Sequence, residues 1–440
     1  MNKLGERSLA EEHGKRAGFA ATTALCVLCL AMPAAATDFT NVYGASPKAM
    51  AMGNAFTAVA DNFSAAFYNP AGLAQIDDHE MVFGHFMGKP SLHERGGSMH
   101  SAGAFEATVS APMMGFSLNL SRILENYKRR LVIGMIMAIP HEFKGFSYMK
   151  AVPPREPTFP LIGRAADVMV LTWGVGIQAH KRIFVGAGVR FNMRFDFNMI
   201  DIDLNLLTGE VVYNRVEIDP ITEVAAIAGA LIRPIDRLRL GLVWREGTYS
   251  TDVTGNFIAN IQLGGLVVPA NIRIGFFDFY LPEELAVGCA YQLNEDWLIA
   301  LDCTFARWSA YKDSFGHRVG KDLFNDVIFP SVGCQYRAAR GAEHGMFTNW
   351  EFFLRGGYTY KPTPVERVQT DTSYLDANKH VFGAGFGLNF ELDRFFYRPV
   401  TLEGAFQWQQ LQTREQDVFV GHVEVSGYQL GGCLTFTTRF

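Results

Sequence analysis

Apolar and polar residues alternate along most of the chain. In the stretch 183–199 the even positions are mostly glycine or polar, whereas the odd positions are apolar: Val185, Ala187, Val189, Phe191, Met193, Phe195, Phe197 and Met199. A period of two is that of a β-strand, whose successive side chains point to opposite faces. Soluble sheets rarely need so long a strand, but a membrane barrel does, because one face of its wall meets lipid and the other a polar interior.

The alternation recurs in neighbouring segments joined by short turns. Residues 285–293 and 297–305 alternate on either side of the turn Asn294-Glu295-Asp296, which predicts a β-hairpin. Cys289 and Cys303 both fall on the apolar face of this hairpin. We expect them to pack there as small hydrophobic residues rather than to form a disulfide.

The same rule places fourteen strands along the chain, with short turns taken as periplasmic and long segments as extracellular. The predicted strands lie near residues 79–88, 101–120, 130–140, 167–180, 182–203, 211–232, 238–254, 282–293, 297–309, 327–337, 350–361, 380–391, 399–411 and 421–440. An even number of strands leaves the beginning of the first strand and the end of the last strand in the periplasm. The predicted fold class is therefore all-β, a 14-stranded antiparallel transmembrane β-barrel.

The first 36 residues have the features of a secretory signal peptide. A basic lead precedes the apolar run 18–32, and the small-residue triplet Ala34-Ala35-Ala36 follows it. This order is that of a signal peptide with its cleavage site. We expect cleavage near Ala36 and export to the outer membrane of a Gram-negative cell; the length of the lead is also compatible with a start codon further downstream.

Composition narrows the function classes. Hydrophobic residues make up 49% of the chain and charged residues 19%. After residue 40 there is no run of about 20 apolar residues, so a helical membrane protein is excluded. Without residues 1–36, which carry four basic and three acidic side chains, the net charge changes from -5 to -6. This charge does not favour nucleic acid as a partner.

Cysteine spacing gives no indication of a metal or redox site. Beyond the signal peptide the chain has Cys289, Cys303, Cys334 and Cys433, which are scattered and lack a C-x-x-C pair. We therefore expect no metal and no cofactor.

Residues 37–78 are the one long segment that does not alternate. They are rich in glycine, alanine and serine, and they predict compact turns with a short helix around residues 49–60. A close-packed segment of this size fits inside a barrel lumen as a plug. The predicted organisation is a signal peptide (1–36), an N-terminal hatch of short helices and turns (37–78) and a transmembrane barrel (79–440).

The hatch carries a resemblance to a known family. Residues 44–74 (GASPKAMAMGNAFTAVADNFSAAFYNPAGLA) closely resemble the N-terminal hatch of the FadL/TodX family of outer-membrane transporters, which carry long-chain fatty acids and other hydrophobic compounds. AIPHEF at 138–143, LPEELAVGCAY at 281–291 and LRGGYTYKPTPV at 354–365 resemble the third, eighth and eleventh strands of that family. The hatch motif is highly specific; the strand matches are weaker, because every barrel alternates.

The resemblance implies a route for the substrate. It implies that a kink at Pro140 in the third strand opens a lateral gap in the wall, through which substrate leaves after the hatch rearranges. The hatch element near this opening would be Asn69, Pro70, Ala71 and Gly72. A proline lacks the ladder donor and is found at bulges and strand ends, so the alternative is that Pro140 merely ends the strand before a long loop.

Two further groups of residues are candidate contacts for a hydrophobic substrate. The long segment 257–281 is unusually apolar for an extracellular loop, which predicts a landing surface formed by Phe257, Ile258, Ile261, Leu263, Leu266 and Val267. The alternative is that these residues are the outer ends of two long strands packed on one another. Inward-facing Arg190, Arg194 and Arg355 are candidate contacts for a carboxylate; the alternative, which we favour, is pairing with inward acids such as Asp196, Asp302 and Glu403.

The sequence therefore predicts passive transport of long-chain fatty acids or other small hydrophobic molecules, by a monomer in contact with outer-membrane lipid and lipopolysaccharide. An enzyme is less consistent with the sequence, because His141 and Ser147 have no evident third partner and no G-x-S-x-G elbow is present. A general porin would not need a plug. A structural or secretion-associated barrel of the same fold, and an outer-membrane lipid hydrolase, remain alternatives.

Overall fold

The structure is a computed structural model that describes residues 35–36, 38–96, 108–124, 129–140, 157, 159–162, 168–205, 207–208, 210–249, 254–263, 266–275, 278–311, 320–344, 347–391 and 399–440. Within this part of the chain, fourteen antiparallel strands form one closed barrel. The barrel closes because the first of these strands pairs with the last. The predicted 14-stranded antiparallel β-barrel is thus confirmed.

The barrel strands are numbered in chain order. They are β1 (Glu80–Gly96), β2 (Val109–Asn119), β3 (Leu131–Ala138), β4 (Met169–His180), β5 (Ile183–Asn205), β6 (Glu210–Ile235), β7 (Leu238–Arg245), β8 (Glu283–Gln292), β9 (Trp297–Arg307), β10 (Val327–His344), β11 (Phe347–Lys361), β12 (Lys379–Glu391), β13 (Val400–Val418) and β14 (Gly421–Arg439). The short turns, such as those between β4 and β5 and between β8 and β9, lie at one end, which is the periplasmic end of such barrels.

Alternation along each strand produces the two faces of the wall. On β5 the side chains of Val185 and Val189 are 41% and 37% exposed on the outside, whereas the neighbouring Arg190 is 5% exposed and points inward. Cys289 and Cys303 lie on the outward face of the β8–β9 hairpin, and the four cysteines that the structure describes are free. The apolar outer face is the surface that lipid would cover.

Several strand ends differ from the sequence prediction. The predicted strand 238–254 ends at Arg245, and β1, β10 and β13 continue past their predicted ends. In the β13–β14 hairpin the pairing continues to Val418 and Gly421 across an irregularity between Leu411 and Arg414. The alternation of lipid-facing residues stops near that irregularity. Backbone pairing does not depend on this alternation, and it extends the hairpin into the outer loops.

Additional strands at the long-loop end add to the barrel. Thr254–Leu263 and Leu266–Gly275 form a hairpin whose first strand pairs in parallel with the outer part of β5. Ala35–Ala36, Asp278–Leu281 and Thr248–Tyr249 form a small separate sheet. One helix, Gly320–Leu323, and the 3-10 turn Trp308–Ala310 lie in the loop between β9 and β10, and the 3-10 turn Leu120–Arg122 follows β2.

Residues 38–75, called the N-terminal segment below, form short helices. They are α1 (Phe39–Val42), α2 (Pro47–Ala51), α3 (Ala65–Tyr68) and the 3-10 helix Pro70–Gln75. Side chains cap three of these helices: Asp38 accepts from the N–H of Asn41, Ser46 from that of Ala49, and Asn69 from that of Ala71. Proline at the first helical turn after Ser46 and Asn69 fits because that position needs no N–H donor.

Candidate functional site

The N-terminal segment fills the space inside the barrel. Almost all of its side chains are buried, and it contacts strands on opposite sides of the wall. Many inward positions of the wall are glycine, where an added Cβ would overlap the segment; these include Gly176, Gly186, Gly229, Gly241, Gly288, Gly333, Gly357 and Gly383. The glycines allow the backbone of the segment to lie directly against the wall.

On the side of β6 to β9, the wall binds the segment through its backbone. The Oδ2 atom of Asp302 on β9 accepts hydrogen bonds from the N–H groups of Phe56 (2.8 Å) and Thr57 (2.7 Å). Arg245 on β7 donates to the carbonyls of Phe67 (3.3 Å) and Tyr68 (2.8 Å). The Asn69 amide donates to the carbonyl of Ala230 on β6. Polar groups of both signs therefore hold this side of the segment.

Further hydrogen bonds come from β11 and β13. The Thr359 hydroxyl donates to the carbonyl of Gly53. The side-chain amide of Gln407 donates to the carbonyl of Tyr43, and that of Gln409 to the carbonyl of Val42. These bonds fix the first half of the segment to the wall.

The side of β1 to β4 is different, because its contacts with the segment are mainly apolar. Phe63 lies on Gly115, Leu73 lies on Gly134, and Ala66 lies on Gly174. The surrounding inward side chains are also apolar: Val82, Phe86, Ala111, Met113, Val132 and Ile136. The buried hydroxyls of Ser117 and Thr172 on this side have no hydrogen-bond partner within the described residues. We call this side the apolar sector and the side of β6 to β13 the polar sector.

A cavity of about 100 Å³ lies between the N-terminal segment and the outer loops. Asn41 and Val42 of the segment contribute to its lining. Much of the remaining lining is apolar: Leu161, Ile162, Pro282, Trp308, Val327, Phe329, Pro362 and Pro364. The cavity thus combines the loops, the wall and the segment in one site, which we call the outer cavity.

Polar groups line one part of the outer cavity. The ammonium group of Lys361 donates to the carbonyls of Asn41 (3.1 Å) and Val42 (3.0 Å), and within the described residues it forms no ion pair. Lys379 is paired with Asp376 at 2.7 Å. The buried Gln429 amide also lines the cavity, and in the described part of the chain it has no hydrogen-bond partner. Lys361 and Gln429 are therefore available to an oxygen atom of a ligand.

A second cavity, of about 130 Å³, lies on the periplasmic side of the segment and is polar. Ion pairs line it: Lys48 with Asp61 (2.8 Å), Arg355 with Glu403 (2.7 Å) and Arg439 with Glu80 (3.2 Å). Burial raises the pKa of Asp61, but the charges of Lys48 and Arg239 outweigh this effect and hold the pKa below its usual range. An alkyl chain has little to gain in this cavity.

The arginines identified from the sequence are occupied by protein carboxylates where they are described. Arg190 forms a buried ion pair with Asp38 at the start of the N-terminal segment. Arg355 pairs with Glu403, one of the acids considered above. Arg194 lies in β5, but its side chain is outside the described residues, as is that of Asp196. A ligand carboxylate would have to compete with these acids.

The predicted hatch element Asn69, Pro70, Ala71 and Gly72 is buried against β4, β5 and β6. The backbone of Pro70 and Ala71 lies on Gly176 and Gly186, and the side chain of Asn69 lies on Gly229. Within the segment, Gly72 lies against Ala60. The proximity of this element to an opening in the wall remains a prediction.

Pro140 is not inside the third strand. β3 ends at Ala138, so Pro140 lies two residues beyond the strand and the predicted boundary 130–140 is corrected. Ile139 still donates to the carbonyl of Pro112 on β2. A proline has no N–H for the ladder, which is consistent with the strand ending before it. The predicted kink and lateral gap remain predictions.

The predicted landing surface lies on the hairpin beside β5. Leu266 and Val267 are exposed, and Ile258 and Ile261 are partly buried. The side chains of Phe257 and Leu263 are outside the described residues, as are His141 and Ser147. The residues form a hairpin of their own rather than the outer ends of two barrel strands.

Sequence reasoning missed Lys361, Lys379, Arg245 and the role of Asp302 toward the segment. Lys361 is the last residue of β11 and Lys379 is the first of β12. Alternation alone does not show that the two lie opposite each other in the ladder. Asp302 was recognised as inward and acidic, but its backbone partners are more than 240 residues away in sequence. The sequence pattern showed only that these positions alternate onto the inward face of the wall.

Two kinds of site are absent from the part of the chain that the structure describes. No helix there is both long and apolar enough to cross a membrane. In the same residues, no group of three or more His, Cys, Asp or Glu side chains is arranged to hold a metal ion.

Comparison with known proteins agrees with this geometry. The family model described as "Outer membrane protein transport protein (OMPP1/FadL/TodX)" matches residues 223–440. Alkane uptake protein A of Marinobacter nauticus is 23% identical to the chain, over 88% of the chain and 87% of that protein.

Solved structures of this family have the same fold. A Pseudomonas aeruginosa FadL homologue has a TM-score of 0.55 at 15% identity, covering 93% of this chain and 99% of that one. The Pseudomonas putida toluene transporter TodX has a TM-score of 0.51 at 15% identity, covering 90% and 98%. The C-terminal half of the chain thus matches the FadL/TodX family of outer-membrane transport proteins, and the barrel as a whole has the fold of the solved FadL and TodX structures.

Proposed function

We propose that the chain is a passive channel through which small hydrophobic molecules, such as long-chain fatty acids or alkanes, cross the outer membrane. The observation that carries the proposal is the outer cavity, an apolar site whose lining includes the N-terminal segment. Burying an alkyl chain is favourable by about 0.8 kcal/mol per methylene. A molecule that enters from outside would therefore bind directly against the segment that closes the lumen.

The size of the cavity supports a movement of the segment. Its volume of about 100 Å³ is below the roughly 300–1,000 Å³ of typical ligand sites. A long chain that passes inward from this cavity would have to displace Asn41 and Val42, which line it. Lys361 and Gln409 hold the carbonyl of Val42, so a ligand head group that binds Lys361 would compete with this contact. Ligand entry and release of the segment would thus be coupled.

Lys361 favours a ligand with an anionic head. Its ammonium group lines the cavity without an ion-pair partner in the described residues, and a carboxylate would supply one. This favours fatty acids, whereas the name of the Marinobacter relative points to alkanes. Lys361→Met distinguishes the two: uptake of a labelled fatty acid should fall about tenfold relative to alkane uptake, because loss of the bonds to Asn41 and Val42 affects both substrates alike. Equal loss of both, or of neither, would contradict a carboxylate site.

We further propose that the substrate leaves sideways between β2 and β3. Pro112 of β2 lies opposite Ile139 and accepts its N–H, but as a proline it returns no N–H. The ladder therefore lacks a donor at the outer end of β3, which is among the shortest strands of the barrel in the described residues. An exit there would lead from the apolar sector into the lipid and avoid the polar cavity on the periplasmic side.

Pro112→Ala tests this exit. The variant supplies the missing donor, so we expect a closed ladder and slower uptake in cells that express the protein. Pro330→Ala is the matched control, because Pro330 lies in β10, away from this seam. Uptake that is unchanged in Pro112→Ala, or reduced equally in both variants, would exclude an exit at this position. Hydrolysis of a chromogenic ester by the purified protein would instead favour the lipid-hydrolase alternative.

A further inference from the structure

Asp302 and Arg245 contact the N-terminal segment in complementary ways. Asp302 binds two backbone N–H groups, at Phe56 and Thr57. Arg245 binds two backbone carbonyls, at Phe67 and Tyr68. Arg245 also lies over the ring of Phe67, 5.7 Å from its centroid. Because these hydrogen bonds are made to backbone groups, both residues hold the course of the segment's backbone. Hydrogen bonds to charged groups are stronger than those between neutral groups.

The wall between these two residues is shaped to fit the segment. Gly241 on β7 and Gly288 on β8 lie against Thr57 and Ala58, and an added Cβ at either position would overlap this turn. Asp302 is 8% exposed, and so is Arg245. The contact is therefore closely packed and shielded from water, where polar bonds are difficult to replace.

An apolar substrate can substitute for one kind of contact only. An alkyl chain can replace Phe63 or Leu73 against the apolar sector, because it offers the same non-directional contacts. It cannot supply an acceptor to the N–H groups of Phe56 and Thr57 or a donor to the carbonyls of Phe67 and Tyr68. The segment should therefore separate from the wall where its contacts are apolar.

We infer that Asp302 and Arg245 are positioning residues for transport, which keep one side of the N-terminal segment on the wall while its opposite side opens along β2 to β4. The inference rests on the proposed function, since it assigns a direction to the movement that passage requires. It also predicts that the segment is not expelled as a whole.

Two buried alanines report on the two sides. Ala58 lies beside β7 and β8, and Ala66 lies beside Gly174 on β4; both are fully buried. We would introduce Ala58→Cys or Ala66→Cys into the full chain with Cys289, Cys303, Cys334 and Cys433 replaced by serine or alanine. The protein would be reconstituted in liposomes and labelled with a membrane-impermeant maleimide in the presence of oleate or hexadecane.

With Asp302 present, the cysteine at 66 should be labelled about tenfold faster than that at 58, which corresponds to one charged hydrogen bond. Asp302→Ala should raise labelling at 58 about tenfold and leave that at 66 nearly unchanged. Arg245→Met should act in the same direction. Asp302→Asn, which retains an acceptor oxygen, should restore protection at 58.

Glu80→Ala is the matched control. Glu80 is a buried wall carboxylate whose ion-pair partner, Arg439, also belongs to the wall, so the cysteine at 58 should stay protected. Resistance to unfolding in unheated detergent establishes that each variant has folded. Equal labelling at 58 and 66 with Asp302 present, or unchanged protection in Asp302→Ala, would overturn the inference. Failure of the parent chain to transport oleate and hexadecane would instead refute the proposed function.

Discussion

The apolar and polar sectors hold the same N-terminal segment by different physical means. In the polar sector, Asp302, Arg245 and Thr359 bind backbone groups of the segment. In the apolar sector, Phe63 and Leu73 lie on glycines of β2 and β3. Hydrogen bonds are directional and costly to leave unmade, whereas dispersion contacts are made equally well with any alkyl group. The difference teaches that the alkyl part of a substrate can compete for only one side of the segment.

A disulfide across the apolar sector should have the largest effect. The Cβ of a residue introduced at position 174 would lie 3.4 Å from that of Ala66, close to the roughly 3.5–4.5 Å that a disulfide needs. Oxidised Ala66→Cys/Gly174→Cys, without the native cysteines, should lose uptake almost completely, because the N-terminal segment then cannot separate from β4. A reductant should restore it. Each single variant serves as the control. Uptake that survives oxidation would show that the segment does not separate from the apolar sector during transport.

Adjacent glycines on β11 test how closely the wall fits the segment. Gly357 faces inward, where an added Cβ would overlap the backbone of Met52 and Gly53. Gly357→Ala should lower the free energy of unfolding by about 1–3 kcal/mol and raise ion conductance. At Gly356 the nearest atom to an added Cβ is 3.9 Å away, so Gly356→Ala should be tolerated. Urea unfolding in micelles compares them, and equal effects would mean that the segment does not lie on this wall.

The same substitution in each sector compares hydroxyl groups directly. The Thr359 hydroxyl donates to the segment, whereas the buried Thr172 hydroxyl has no partner in the described residues. Thr359→Val should lower the free energy of unfolding by about 1 kcal/mol, and Thr172→Val should be neutral or stabilising. The comparison uses urea unfolding in micelles. The reverse order would contradict the assignment of the two sectors.

The smallest expected effect concerns pH. Lys48 and Arg239 hold the pKa of Asp61 below its usual range. A group with a lowered pKa in the folded state stabilises above its unfolded pKa of about 3.9, and this stability is lost as pH falls through the folded value. Unfolding between about pH 5 and pH 2 should therefore be less pH-dependent in Asp61→Asn than in the parent chain. Identical profiles would mean that the ion pair contributes nothing.

The barrel could be predicted because its signal is local. Alternation assigns the two faces of β5 without knowledge of any neighbour, and Val189 and Arg190 lie as predicted. The same locality explains the errors at strand ends. Pairing beyond Leu411 on β13 depends on the partner strand rather than on the hydrophobic pattern.

The site could not be predicted to the same extent because its contacts are distant in sequence. Asp302 meets Phe56 and Thr57 only once the barrel has closed around the segment. Arg190 was recognised as inward, but its partner Asp38 lies before the first barrel strand and was not among the acids considered. The alternation of the sequence identifies which side chains face the lumen but not which of them contact one another.

Ion conductance in planar bilayers tests the central claim, that the N-terminal segment closes the lumen of the barrel. The full chain should show almost no steady current, and a variant lacking residues 38–75 should conduct ions continuously. A large steady current through the full chain, or the absence of a current after the deletion, would contradict this account.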